Sequence, residues 1–161
     1  MPDAPQKNKG IRGAIDETIH GTTIELDGVG VLLRGPPGSG KSDLALRLLD
    51  GGARLVADDR TVLRRVNDEL NASAPPELQG KIEVRGLGIV TLPRIKTVPS
   101  AGVVLVVDLA PSRDAVARMP DVRTVELDGV VVRRLLLWAF EPSAAAKVRL
   151  AIRTKPENID A

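Results

Sequence analysis

The residues best suited to chemistry form one glycine-rich stretch with the spacing G-x-x-x-x-G-K-[ST]. An apolar run at 29–33 precedes it and a helical pattern follows it, which is the context of a phosphate-binding loop. The predicted nucleotide-binding residues are consecutive: Gly35, Pro36, Pro37, Gly38, Ser39, Gly40, Lys41 and Ser42. Inward-pointing N–H groups bind anions there, Lys41 serves the terminal phosphates and Ser42 binds Mg²⁺. We predict a nucleoside triphosphate site; the alternative is a turn that only caps a helix.

A second candidate is the carboxylate pair Asp58-Asp59, which follows a short apolar strand pattern at 54–57. Carboxylates in such a place are costly unless they hold a cation or a proton. Because neighbouring residues on a strand point to opposite sides, one can bind a metal while the other acts as a general base. The alternative is an ordinary turn-forming or helix-capping pair.

Three further residues carry weaker signals. His20, the only histidine, precedes a strand pattern that leads toward the loop, so it is able to assist proton transfer or contact phosphate. Glu83 and Arg85 flank a strand end; a carboxylate there suits a metal and a guanidinium suits a phosphate. The plain alternatives are a surface histidine and a Glu-x-Arg pair on an exposed strand.

Composition limits the function classes. The chain has 161 residues, 43% of them hydrophobic and 1% aromatic, which predicts one domain with an aliphatic core. A net charge of +2 with scattered Lys and Arg argues against nucleic-acid binding. Without cysteine, a long apolar run or an apolar signal core, we expect a cytoplasmic protein that neither forms disulfides nor crosses a membrane. We divide the chain into a disordered tail at 1–10, a single P-loop domain at 11–153 and a polar tail at 154–161.

Hairpins determine the expected architecture. The run Glu-Leu-Asp-Gly-Val occurs at 25–29 and again at 126–130, and each time Asp-Gly separates two strand patterns. We interpret the repetition as turn chemistry. Further predicted elements are a helix from the loop to about residue 50, a buried strand at 103–109, a last helix at 144–152 and loops at 67–79 and 93–99. The fold class is therefore α/β, with a P-loop beside a mixed sheet that contains hairpins.

Four segments together resemble the catalytic domain of HPr kinase/phosphorylase, a bacterial family of the sugar phosphotransferase system. They are His20-Gly21, the loop, residues 52–59 (Gly-Ala-Arg-Leu-Val-Ala-Asp-Asp) and residues 82–89 (Ile-Glu-Val-Arg-Gly-Leu-Gly-Ile). The resemblance implies a fold similar to the nucleotide domain of phosphoenolpyruvate carboxykinase, with ATP and Mg²⁺ as cofactors. It also implies an HPr-like phosphocarrier as substrate and a homo-oligomer, commonly a hexamer.

The same resemblance implies roles for individual residues. The implied catalytic residues are Asp59, His20, Lys41 and Arg85. Among them, Asp59 matches the proton acceptor of the kinase reaction. Ser42 and Glu83 match magnesium ligands, and we place Asp58 with them at the metal.

Three features depart from the family. Its usual N-terminal domain is not expected here, because few residues precede His20. Ser100-Ala101-Gly102 stands where the family carries a Lys-Arg pair. Residues 139–144 (Ala-Phe-Glu-Pro-Ser-Ala) replace an arginine-containing loop that is tied to phosphorolysis. Fewer arginines mean less phosphate-binding charge, which argues against phosphorolysis more than against kinase activity.

We therefore predict a Mg-ATP-dependent protein-serine kinase that phosphorylates an HPr-like phosphocarrier. The alternatives are a nucleotide-binding regulatory module that has lost catalysis and a small-molecule kinase of the same fold. Transfer of phosphate to a carrier, to a metabolite or to neither distinguishes the three.

Overall fold

The computed structural model describes residues 16–160, which form a mixed sheet with two α-helices. The strands are β1 Glu17–His20, β2 Thr22–Leu26, β3 Val29–Arg34, β4 Arg54–Ala57, β5 Arg60–Val66, β6 Glu69–Ser73, β7 Lys81–Val84, β8 Gly88–Thr91, β9 Ser100–Leu109, β10 Arg123–Leu127 and β11 Val130–Leu137. The helices are α1 Lys41–Asp50 and α2 Ala144–Arg153. The predicted tail at 1–10 lies outside the described residues.

Strand β9 organises the main sheet, whose order is β1-β5-β6-β9-β3-β2-β4. The first residues of β9 pair with β6 in antiparallel fashion, and its later residues pair in parallel with β3 and with β11. The β2–β3 and β10–β11 hairpins are antiparallel, as predicted from their Asp-Gly turns. Parallel and antiparallel pairs in one sheet confirm the predicted mixed architecture, while β7 and β8 form a separate hairpin.

The core is aliphatic on both sides of the sheet, as the composition predicts. Strand β3 shows this directly, because Val31 and Leu33 pack in one buried cluster while Leu32 packs in the other. Leu44 and Leu48 of α1 and Val148 of α2 belong to the first cluster. A strand covered on both faces can hold the loop that follows it in one place. Among the described helices, α1 and α2 included, none is both long enough and apolar enough to cross a membrane.

The loop predicted at 67–79 is wrong in its first half, where β6 pairs with both β5 and β9. Leu70 and Ala72 are buried, while Glu69, Asn71 and Ser73, which alternate with them, are more accessible. This is the alternation of a strand with one buried face. The polar side chains of the other face made the segment look like a loop, and Asn67, at a φ of 56°, provides the tight turn that starts the strand.

Candidate active site

The glycine-rich loop joins β3 to α1, as the sequence predicted. Two of its glycines have left-handed backbones, with φ of 82° at Gly38 and 99° at Gly40. The Lys41 ammonium folds back over the loop and donates to the carbonyl of Gly35 at 2.6 Å and to that of Pro36 at 3.2 Å. The lysine thus lies beside the loop amides, where a phosphate group would attract it.

Asp58 is the best-anchored carboxylate of the region, at 4% exposure. Its Oδ1 accepts hydrogen bonds from the hydroxyls of Thr22 at 3.0 Å and Ser42 at 2.9 Å. Its Oδ2 accepts from the backbone N–H of Glu83 at 2.9 Å. One buried carboxylate therefore ties together β2, the start of α1 and β7, which brings the three predicted metal residues into one place.

Asp59 points elsewhere. Its backbone is left-handed, with a φ of 63°, and its side chain is exposed at the wall of a cavity of 390 Å³. Its N–H donates to the Thr22 hydroxyl at 3.2 Å, and its carbonyl accepts from the N–H of Gly21 at 2.8 Å. Asp adopts the left-handed region more readily than most residues, and these two hydrogen bonds fix it there. The two neighbouring carboxylates therefore lie in different surroundings, but the cause is the left-handed backbone after β4 ends at Ala57, not the strand alternation assumed from the sequence.

The cavity collects most of the other predicted residues. Among its lining residues are Pro37, Gly38, Gly40, Lys41, Ser42, Glu83 and Arg85. Glu83 ends up there because β7 and β8 form a hairpin whose turn contains Arg85. The predicted residues that do not line it are Gly35, Pro36, Ser39, Asp58 and His20. His20 ends β1 opposite Arg60. Its active-site role stays a prediction.

Oxygen donors dominate the potential metal site. Within residues 16–160 no three His, Cys, Asp or Glu side chains are grouped as a metal centre. The candidate donors are the Ser42 hydroxyl and the Glu83 carboxylate at the cavity, with the buried Asp58 carboxylate bonded behind Ser42. Mg²⁺ prefers such oxygens and usually takes only one or two carboxylates, with water and phosphates completing its shell. The donor set therefore fits a magnesium ion that arrives with a nucleotide.

An ion triad supports the same edge of the sheet. Asp108 of β9 accepts from the guanidinium of Arg34 at 2.8 and 3.0 Å and from that of Arg134 at 2.5 Å. Burial alone would raise the pKa of Asp108, but the hydrogen bonds from the two arginines outweigh it and hold the pKa below the usual range. Arg34 directly precedes the glycine-rich loop, so the triad anchors the strand from which the loop departs.

Two contributors were missed from the sequence. Thr22 binds both aspartates of the pair, although 36 residues separate it from Asp58. Phe140 follows β11 and lines the cavity beside the loop. The sequence offered a weak indication of Thr22, because it directly follows the His20-Gly21 motif. The only indication of Phe140 was that it lies two residues from Trp138, the other aromatic residue of the chain.

The sequence model of the family described as HPr Serine kinase C-terminal domain matches residues 13–125. The chain belongs to this family. The matched residues include the glycine-rich loop, the Asp58-Asp59 pair and the turn at 83–85, and they end before β11. The resemblance that the sequence motifs suggested is thereby confirmed.

Curated relatives of this family member are named HPr kinase/phosphorylase. The one from Caldanaerobacter subterraneus subsp. tengcongensis is 43% identical over 93 residues, which are 57% of this chain and 30% of the relative. The one from Clostridium tetani is 40% identical over 82 residues, which are 51% of this chain and 27% of the relative. The chain therefore spans less than a third of the length of these curated relatives.

A solved structure confirms the fold. The Hpr(Ser) kinase/phosphatase from Coxiella burnetii is similar to this chain with a TM-score of 0.74 at 28% sequence identity. The similarity covers 85% of this chain and 88% of that one. The α/β fold with a mixed sheet is thus shared with a solved kinase/phosphatase of the same family.

Proposed function

We propose that this protein is a Mg-ATP-dependent protein-serine kinase that phosphorylates an HPr-like phosphocarrier. The observation that carries the proposal is the different placement of Asp58 and Asp59. Asp58 is buried and bonded to Ser42, whereas Asp59 is exposed at the cavity wall. A kinase needs both a fixed carboxylate near the metal and a free one near the acceptor hydroxyl. Membership of the HPr kinase family supports the carrier as the acceptor.

The loop and Lys41 bind the phosphates in this proposal. Backbone N–H groups of the loop and the N-terminal end of α1 would bind the triphosphate, offsetting its charge without a large side-chain cluster. Lys41 exchanges its two carbonyl contacts for the terminal phosphates. Arg85, at the turn of β7 and β8, adds a second positive charge at the cavity. His20 lies outside the cavity lining, and its part in the reaction is proposed from the family resemblance.

Asp59 accepts the proton. The serine hydroxyl of the carrier attacks the γ-phosphorus, its O–H proton passes to the Asp59 carboxylate, and the bond between the γ-phosphorus and the β,γ-bridging oxygen breaks to release ADP. Ser42, Glu83 and Asp58 would hold a magnesium ion, which would supply positive charge against the phosphates of the nucleotide. Because Asp58 accepts from the Ser42 hydroxyl, it orients that oxygen before nucleotide binds.

The test is the intact mass of the organism's HPr-like carriers after incubation with the protein, ATP and Mg²⁺. We expect one added phosphate on the wild-type carrier and none on a Ser→Ala carrier. Asp59→Asn keeps nucleotide binding but slows transfer by about 10²–10⁴-fold, the usual contribution of a general base. The matched control is Asp68→Asn, whose side chain is 99% exposed and which keeps the wild-type rate.

Other outcomes point to the rival functions. Nucleotide binding without transfer to any carrier would favour the regulatory module, in line with the arginine-free segment 139–144. A mass shift on a metabolite instead would favour a small-molecule kinase. Adding inorganic phosphate after the kinase reaction tests phosphorolysis, for which the same segment supplies no guanidinium, and we expect no dephosphorylation.

The remaining parts of the proposal concern assembly and place in the cell. We expect a cytoplasmic homo-oligomer that binds the carrier and neither nucleic acid nor a membrane. Light scattering coupled to gel filtration measures the oligomer directly. A monomer at micromolar concentration would remove the oligomer from the proposal without affecting the kinase reaction.

A further inference from the structure

Phe140 occupies a distinctive place in the cavity. It is one of only two aromatic residues in the chain and is 52% exposed. Together with Leu46, which is 39% exposed, it gives the cavity an apolar section next to the polar loop. Large apolar side chains that are open to a cavity beside a phosphate-binding loop suit a ligand that carries an apolar face as well as phosphates.

The backbone around Phe140 is held by helix α1. The Arg47 guanidinium donates to the carbonyl of Glu141 at 3.2 Å and also to that of Ala139, so both neighbours of Phe140 are fixed. The ring of Trp138 meets the Phe140 ring edge-on, with centroids 6.4 Å apart and planes at 72°. The ring is therefore in place before any ligand binds, which lowers the entropy cost of stacking.

Gly40 allows the ring to lie against the loop. A Cβ at this position would come within 2.7 Å of the Ala139 Cβ and 3.1 Å of the Phe140 Cζ. The loop backbone and the segment after β11 are thus in direct contact, with no room for a side chain between them. A ligand whose phosphates lie in the loop has the Phe140 ring within reach.

Helix α1 indicates where such a ligand continues. Ser42 and Leu46 are four residues apart on α1, so they are neighbours on one face, with Cβ atoms about 5–6 Å apart. Both line the cavity. A group attached to phosphates near Ser42 therefore meets Leu46 one helical turn further along, beside the apolar section that Phe140 completes.

We propose that Phe140, with Leu46, is the stacking site for the nucleotide base. The inference rests on the proposed triphosphate site and adds a specificity residue to it. A purine has a π-face that stacks on an aromatic ring whatever its hydrogen-bonding edge. Phe140 lies beyond residues 13–125, so the family match assigns it no role.

Comparing ATP with inorganic tripolyphosphate tests the base site, because only ATP carries a base. We measure calorimetric affinities of both with Mg²⁺ for wild type, Phe140→Ala, Phe140→Leu and Phe140→Tyr. Phe140→Ala weakens ATP binding about tenfold, the usual value of one stacked base, and leaves tripolyphosphate binding within about twofold. Phe140→Leu, which keeps most of the volume, also weakens ATP alone, and Phe140→Tyr keeps ATP binding. The control Leu150→Ala, on α2 and 66% exposed, changes neither.

Two results would overturn the inference. Unchanged ATP affinity in Phe140→Ala and Phe140→Leu would place the base elsewhere. Equal losses for ATP and tripolyphosphate would mean that the ring only supports the loop. A different result would contradict the proposed function itself: if the wild-type protein bound neither ATP nor tripolyphosphate, it would have no triphosphate site.

Discussion

The two hairpins of this protein share five consecutive residues and the same turn. In residues 25–29 and 126–130, Asp has φ of 52° and 48° and the following Gly has φ of 84° and 75°. Both turns join antiparallel strands with matching registers. Identical short sequences therefore produce identical turns, even though they lie in different parts of the sheet.

The strands around these turns differ in burial. All five residues of β2 are buried, whereas those of β10 are exposed or half-buried. Glu25 is 8% exposed and accepts from the N–H of Gly28 at 2.8 Å and from the Arg54 guanidinium, while Glu126 is exposed. The conformation of the turn therefore depends on its own residues, whereas the burial of the flanking strands depends on the elements that pack on them.

The hairpins also make different contributions to the site. Their second strands, β3 and β11, both run parallel to β9, on opposite sides of it, so their C-terminal ends lie at one edge of the sheet. Strand β3 leads into the phosphate-binding loop, and β11 leads into Phe140. One turn sequence used twice thus supplies two different walls of one cavity.

The largest stability effect should come from Asp108, which connects the two hairpins. It accepts from Arg34 of β3 and Arg134 of β11, so Asp108→Asn weakens two charge-assisted interactions at once. We expect a loss of about 2 kcal/mol in the free energy of unfolding, measured by urea titration at pH 7. The exposed Asp121→Asn is the matched control and should change little. An equal effect of both variants would show that the triad does not connect the hairpins energetically.

The same variant predicts a pH dependence. The pKa of Asp108 is lowered in the folded protein, so its charge stabilises the fold above the unfolded pKa of about 4 and that contribution is lost as pH falls through the folded value. The difference between wild type and Asp108→Asn should therefore be full at neutral pH and shrink in acid. Asp16 and Asp27, whose pKa values are also lowered, are present in both proteins and cancel. A difference that stayed constant in acid would argue against this account.

Features with local causes could be predicted from the sequence. The glycine-rich loop, α1 and both Asp-Gly hairpins each depend on a few adjacent residues, and all were confirmed. The different surroundings of Asp58 and Asp59 were expected from strand alternation, but β4 ends at Ala57 and the left-handed backbone of Asp59 produces them instead. Short-range spacing therefore accounts for the phosphate side of the site.

Features with distant causes could not be predicted. Strand β6 looks polar in the sequence and is a strand because β5 and β9 pair with both of its edges. Thr22 reaches Asp58, and Phe140 reaches Gly40, only after the sheet has formed. No spacing in the sequence encodes these contacts, which explains why the apolar wall of the cavity was missed.

Glu25 and Glu126 occupy equivalent positions in the two hairpins, and their substitution should have effects of different size on stability. Glu25→Ala removes a buried carboxylate that accepts from the N–H of Gly28 and from the guanidinium of Arg54. Because hydrogen bonds to a charged group are lost, we expect a loss of about 1.5 kcal/mol in the free energy of unfolding. Glu126→Ala removes an exposed side chain and should stay within about 0.5 kcal/mol of wild type. Paired urea titrations measure both. Similar losses would mean that burial does not separate the two hairpins.

The smallest expected loss of stability comes from substituting the turn glycine, and it should be the same in both hairpins. Gly28 and Gly129 both have positive φ, so Ala at either position costs about 1 kcal/mol in backbone strain. A Cβ at Gly28 meets nothing within 4 Å, and one at Gly129 meets only the end of the flexible Arg65 side chain, 2.5 Å away. We therefore expect thermal and urea unfolding to show nearly equal losses for Gly28→Ala and Gly129→Ala, although their strands differ in burial. If Gly28→Ala were much more costly, the buried strands would impose the turn, and the shared five residues would not be its cause.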